Sequence, residues 1–145
     1  MSEKYNLNRF IERQKEDYPT ALKEIQKGRK ESHWMWWIFP QLKGLGFSYT
    51  SMEYGIADLE EAKAYLQNPY LHSNLVTICN ALLQLESNDA GLVMGYPDDL
   101  KLCSSMTLFS MAEPENTVFP EVLKKFFGGE MDKRTVEMIK GASDT

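Results

Sequence analysis

Residues 58–83 read DLEEAKAYLQNPYLHSNLVTICNALL, and the punctuation of this stretch sets the fold class. Asp58 followed three positions later by Glu61 has the form of a capping box, in which the aspartate oxygen takes an orphan backbone N–H of the first turn. The helix it opens carries Leu59, Ala62, Tyr65 and Leu66 on one side and is expected to end near Asn68. Pro69 then suits the first turn of the next helix, where a missing N–H costs nothing. Beyond it Leu71, Leu75, Ile78 and Leu82 recur at spacings of four, three and four, which places them on one helical face.

The same punctuation extends outward in both directions. Asn6 is a candidate cap for a first helix with Leu7, Phe10 and Ile11 on its apolar side. Pro19 fits the first turn of a second helix carrying Ala21, Leu22 and Ile25, with Gly28 as its C-terminal stop. Pro97, Asp98 and Asp99 put an imino acid and negative charge where a helix dipole favours them, and Leu100, Cys103, Met106 and Phe109 form the expected apolar face behind them. Pro120 to Phe127 and Asp132 to Lys140 read as two short terminal helices separated by Gly128-Gly129. The best alternating, strand-like segment is GFSYTSMEY (46–54), which reads equally well as a loop. The expectation is a mainly α fold: one compact multi-helical domain over residues 1–145, with short connecting loops.

The totals narrow the function classes. The chain has 145 residues, 43% of them hydrophobic and 26% charged, ordinary values for a globular domain able to bury a sizeable core. A net charge of −5 argues against non-specific binding to nucleic acid or to an anionic membrane surface. No apolar stretch approaches the roughly 20 residues a membrane span needs, and MSEKYNLNRF is too polar for a signal peptide. Cys79 and Cys103 form no CxxC or CxxH spacing, and with His33 and His72 as the only histidines no metal site is expected. These features point to a cytoplasmic protein with two reduced, buried thiols, no metal and no cofactor.

The chemistry is concentrated between residues 27 and 55. In HWMWWIFPQ (33–41) all three tryptophans fall within four positions. On a helix Trp34, Trp37 and Ile38 share one face, Met35 and Phe39 a second, and Trp36 stands on a third. A segment apolar all round is buried all round. The competing reading is an aromatic wall for a flat ligand, since each indole also carries an N–H donor that needs a partner. Pro40 stops the segment. KGLGFSYTS (43–51) follows, with Lys43, Gly44, Gly46, Ser48 and Ser51 able to offer backbone N–H groups and hydroxyls to an anion; it lacks the spacing of a dinucleotide fingerprint or a P-loop. Upstream, KEIQKGRK (23–30) supplies four cations, of which Arg29 and Lys30, with Lys43, are the expected anion contacts. His33 is the better placed histidine for proton transfer, and His72 is expected on a solvated face. A second polar cluster spans residues 99–107, where Lys101 lies one helical turn from Ser104 and Ser105. Lysine can activate a serine, although pairing of Lys101 with Asp98 and close helix packing at the hydroxyls account for the cluster equally.

The blocks GRKESHWMWWIFPQLKGLG, SxxYGI and DxKLxSSMTLF resemble the bacterial domain-of-unknown-function family 1810, some members of which carry the label "calpastatin". The resemblance runs from Phe10 to about Ile139 and implies a small, mostly helical, stand-alone bacterial domain. Position 37 holds Trp where many relatives have Phe. A fainter similarity is to the YbiA-type (NADAR) N-glycosidases, through the His-aromatic stretch and Pro69, Leu71 and Leu75. Those enzymes place glutamate directly before the histidine, and here Ser32 stands there with Glu31 one position earlier. That similarity implies a hydrolase acting on an ADP-ribose-type or ribosyl-amine substrate.

Two functional expectations follow. The first is a pocket for a nucleotide-like small molecule, binding it or hydrolysing its N-glycosidic bond. His33 or Glu31 would move the proton. Trp34, Trp37, Gln41, Lys43, Gly44, Gly46, Ser48, Ser51, Tyr54, Lys101, Ser104 and Ser105 would contact the ligand. Glu31 and Glu53 are the carboxylates nearest in sequence for an oxocarbenium-like centre. The second is a non-enzymatic protein-interaction module, suited by eight methionines on adaptable apolar surfaces. Neither expectation includes a membrane or a nucleic-acid partner, and neither assigns an oligomeric state.

Overall fold

A computed structural model describes residues 5–143; the ends of the expected domain, residues 1–4 and 144–145, lie outside them. Among the described residues the chain forms helices α1 (Asn8–Gln26), α2 (Met35–Ile38), α3 (Tyr49–Tyr54), α4 (Leu59–Gln67), α5 (Pro69–Leu83), α6 (Ala90–Met94), α7 (Asp98–Ala112), α8 (Val118–Phe127) and α9 (Lys133–Ser143). The mainly α expectation holds. The extended structure among these residues is one isolated parallel bridge between Leu42 and Ile56. It closes the loop that carries α3, with Lys43 N–H donating to Ile56 O at 2.7 Å and Ile56 N–H to Gln41 O at 2.9 Å. Gly55 makes this closure possible, because a Cβ there would stand 2.7 Å from Lys43 Cα.

Helix α7 is the hub, packing against α4, α6, α8 and α9, while α5 packs on α1, α4 and α8. Residues Ser104 to Ser110 are buried without interruption, so the apolar face expected on α7 is too narrow. Leu102, Met106, Leu108 and Phe109 are fully buried, whereas Leu100 is exposed and Cys103 is half-buried. A helix surrounded by partners has no solvent side over its second half. The serines and threonine there supply small volume for close approach. On α5, Leu71, Leu75, Ile78 and Leu82 are buried as their spacing requires.

Around α4 and α5 the structure follows the local punctuation. Asp58 Oδ1 accepts from Glu61 N–H at 2.8 Å, and Glu61 Oε1 reaches back to Ala57 N–H at 2.7 Å. Asn68 caps α5 through Tyr70 and Leu71 N–H. Other expectations need correction. Pro19 does not begin a helix but lies inside α1. The roughly 3 kcal/mol cost of an interior proline is outweighed because Phe10, Ala21 and Ile25, on both sides of it, are fully buried. Asn6 does not cap α1 with its side chain; Leu7 holds that position without a side-chain bond. GFSYTSMEY is no strand, since Ser48 Oγ accepts from Ser51 N–H at 3.1 Å and starts α3. α6, which no expectation covered, begins at Asp89, whose Oδ1 accepts from Leu92 N–H. His72 is not simply solvated, for its Nε2 stands 3.2 Å from Glu113 Oε1.

Two buried polar side chains fix the tryptophan segment against α1. Gln14 Nε2 donates to Trp37 O at 2.8 Å and to the Tyr65 hydroxyl at 2.9 Å, while its Oε1 accepts from Asn74 Nδ2 at 3.0 Å. Glu24, only 7% exposed, accepts from Glu31 N–H, Ser32 N–H, Ser32 Oγ and Trp34 Nε1 at 2.8, 2.9, 2.5 and 2.9 Å. Burial raises the Glu24 pKa, but these donors together outweigh it and hold the carboxyl at about 2, against an ordinary value of 4.5. A depressed carboxylate stabilises the fold above its unfolded pKa and loses that contribution as pH falls through its folded value. Glu24 is therefore expected to give stability on the order of 3 kcal/mol that vanishes between about pH 4.5 and 2. Urea unfolding across that range checks this. Glu24→Gln, which turns an N–H₂ toward existing donors, should be less stable at neutral pH and show a shallower decline. An unchanged pH slope in the variant would contradict the assignment.

Candidate functional site

The tryptophans separate into two kinds. Trp34 is 1% exposed and Trp37 9% exposed. Their indole N–H groups are satisfied by Glu24 and by Asp17 Oδ2, the latter at 2.8 Å. Trp36 is half-buried, and its N–H has no partner among the described residues. α2 extends only from Met35 to Ile38, shorter than the expected helix, because Glu24 pins Trp34 ahead of it and Pro40 forces Phe39 out of helical geometry. This single turn is enough to send Trp36 outward while Trp34 and Trp37 face the core.

Trp36 forms the seam between two adjoining hollows of about 280 Å³ each. Lys101 at the start of α7 borders both hollows, its ammonium 4.3 Å from the Trp36 ring centroid. Each hollow alone is slightly smaller than the roughly 300–1,000 Å³ of most ligand pockets, and the pair falls within that range.

The first hollow is bordered by Lys30, His33, Thr50 and Asp98 together with α2. Asp98 accepts from Lys30 Nζ at 2.8 Å and Lys101 Nζ at 3.1 Å. Burial raises its pKa, but the two ammonium groups prevail and lower it. One carboxylate between two ammonium groups leaves a net positive centre. Lys30 is anchored further by donating to Ser32 O at 2.6 Å and by lying 4.8 Å from the Trp34 ring centroid.

The second hollow is bordered by Gln41, Gly46, Ser104, Asp132 and Arg134, with Leu45, Pro97 and Leu100 at its apolar margin. Two residues of α7 bring the α9 side to it. Ser104 Oγ donates to Asp132 Oδ2 at 3.2 Å, and Thr107 Oγ1 accepts from Asp132 N–H at 2.8 Å. Asp132 Oδ2 also caps α9 by accepting from Thr135 N–H and Thr135 Oγ1. Arg134 donates to Leu45 O and Gly44 O at 3.3 Å, which holds the glycine loop across the gap.

The expected site residues divide accordingly. His33, Gln41, Gly46, Lys101 and Ser104 border the groove, and the buried Trp34 and Trp37 add only margins to it. Glu31 is exposed away from it, with its backbone N–H bound to Glu24. Lys43 borders a separate apolar depression beside Ala57, Leu59 and Met138. Gly44 contributes its carbonyl to Arg134. Ser48 and Ser51 are spent on starting α3. Tyr54 and Glu53 lie in a charged surface depression with Arg9 and Arg13, where the Tyr54 hydroxyl accepts from Arg13 Nε at 2.9 Å. Ser105 is fully buried in α7 and its Oγ has no partner among the described residues. Lys101 bonds Asp98 rather than either serine. Sequence reasoning missed Trp36, Asp98, Asp132 and Arg134 as groove residues. For Trp36 a signal existed, since helical spacing set it apart from the other two indoles.

The family follows from comparison with known proteins: the model described as "Protein of unknown function (DUF1810)" matches residues 4–139. The chain belongs to this family. The crystal structure of the conserved hypothetical protein Rv1873 from Mycobacterium tuberculosis is similar to it throughout, with 43% identity, a TM-score of 0.93, and 95% of this chain and 99% of that chain covered. Among curated proteins none matches. No helix among the described residues is long and apolar enough to cross a membrane.

The division of the indoles has a direct test in stability. Trp34→Ala is expected to cost about 3–5 kcal/mol, the usual range for an emptied aromatic core site. Trp36→Ala should cost roughly 1 kcal/mol, as for a residue that is not core. Equal losses for the two in urea unfolding would contradict the outward assignment of Trp36.

Proposed function

We propose that the groove over Trp36 binds a nucleotide-like small molecule of the ADP-ribose type and hydrolyses its N-glycosidic bond. The observation that carries this reading is the half-buried indole of Trp36, its N–H without a hydrogen-bond partner among the described residues, between two hollows edged by Lys30, Lys101 and Arg134. An indole face and fixed cations suit a ligand that combines a flat ring with phosphate groups. Lys101 lies over one face of Trp36, so it offers charge to a phosphate while the ring stacks beside it.

The chemistry asks for a carboxylate near the anomeric carbon and a group that accepts a proton from water. Asp98, kept ionised by its two lysines, would face the positive charge developing on the sugar once the ligand's phosphates have neutralised the Lys30 and Lys101 ammonium groups. His33, exposed on the rim of the same hollow, would take the proton as water adds to the anomeric carbon. The electron pair of the broken bond leaves with the ring nitrogen. In this scheme Asp98 takes the place first expected of Glu31 or Glu53.

A second reading, a non-enzymatic interaction module, is favoured by Phe47, Tyr49 and Met52, which are 84%, 82% and 45% exposed around the start of α3. Thermal-shift measurement with ADP-ribose and NAD separates the two readings. At a concentration of about 100 Kd the ligand adds roughly 2.7 kcal/mol of stability, a rise of several degrees for a domain of this size. Lys101→Ala should remove most of that rise, and chromatography should detect a released base that disappears in Asp98→Asn. Absence of any thermal shift at millimolar ligand would remove the proposal and leave the interaction surface.

A further inference from the structure

Gln41 is 93% buried by its 7% exposure, yet its side chain is not spent on the fold. Its backbone carbonyl closes the bridge to Ile56. Its carboxamide has no hydrogen-bond partner among the described residues and borders the second hollow. The other buried glutamine, Gln14, has its amide fully engaged. Around Gln41 the available polar groups are few. The Lys101 ammonium is held by Asp98, and the Arg134 guanidinium reaches the loop carbonyls. The Ser104 hydroxyl donates to Asp132 Oδ2. Asp132 Oδ2 accepts the capping bonds, whereas Oδ1 has no donor among the described residues.

We propose that Gln41 and Asp132 read the edge of a heterocycle stacked on Trp36, and that they select a ring with an amine beside a ring nitrogen, as in adenine or cytosine. This rests on the groove being a ligand site. A glutamine amide forms two parallel bonds with such an edge, its oxygen accepting from the amine and its nitrogen donating to the ring. The amine has a second hydrogen, which suits the acceptor-only carboxylate of Asp132. A lactam edge would fit the carboxamide alone but would set a carbonyl oxygen against that carboxylate. The sugar and phosphates then extend past Trp36 and Lys101 toward the cationic first hollow.

The test is titration calorimetry of the full chain with three nucleotides: AMP, purine riboside 5′-monophosphate, which lacks the amine, and IMP, which replaces it with a lactam. AMP is expected to bind about tenfold more tightly than either, since each analogue leaves a buried polar group unpaired. This comparison needs no variant. Gln41→Glu, with its fold checked by circular dichroism, should bring AMP down to the affinity of the other two. Equal binding of all three by the unaltered protein would overturn the inference and leave the groove reading in place. So would an AMP preference that survives in Gln41→Glu. Failure of all three nucleotides to bind would overturn both.

Discussion

Everything specific about this molecule depends on one buried carboxylate. Glu24 near the end of α1 collects donors from Glu31, Ser32 and Trp34. A carboxylate that accepts several N–H bonds is worth more than an isolated ion pair, because each donor is satisfied as the charge is stabilised. The loop after α1 is thus tied back onto the helix it left. Lys30 is carried with it, its N–H donating to Val93 O at 2.7 Å on the α6 side.

The groove is a consequence of that tie. With Trp34 drawn to Glu24 and Trp37 to Asp17, the single turn between them leaves Trp36 no place in the core. Gln14 holds the far end of the turn through Trp37 O. The opposite wall comes from α7, whose small hydroxyl residues serve two purposes. They let several helices approach the hub, and Ser104 with Thr107 grips Asp132. The cluster at residues 99–107 is therefore an anchor for α9 as well as a lining of the groove, and its lysine contacts Asp98 and Trp36 rather than a serine.

The helical class was legible because its signals are local. Asp58, Asn68, Pro69 and the α5 heptad-like spacing act within one or two turns, and the structure repeats them. Pro19 misled because burial of α1 along its whole length outweighs a local breaker. α3 and α6 are short elements whose caps, Ser48 and Asp89, are too brief a signal to read alone; α3 also depends on the closure at Leu42 and Ile56. For the site, the segment from residue 27 to 55 does supply the floor and one wall. The other wall is built from Asp98, Asp132 and Arg134, and their approach depends on tertiary contacts that no spacing encodes. Trp36 was separable by its helical angle alone. The stronger pull of a paired Trp34 and Trp37 face concealed that a lone third face is the one left for solvent.

Two indoles are locked to carboxylates and one faces an open groove. Hydrogen exchange of the three indole N–H groups by NMR tests this division directly. Slow exchange is expected at Trp34 and Trp37, and fast exchange at Trp36. Three equally protected indoles, or a protected Trp36 beside an exchanging Trp34, would contradict it.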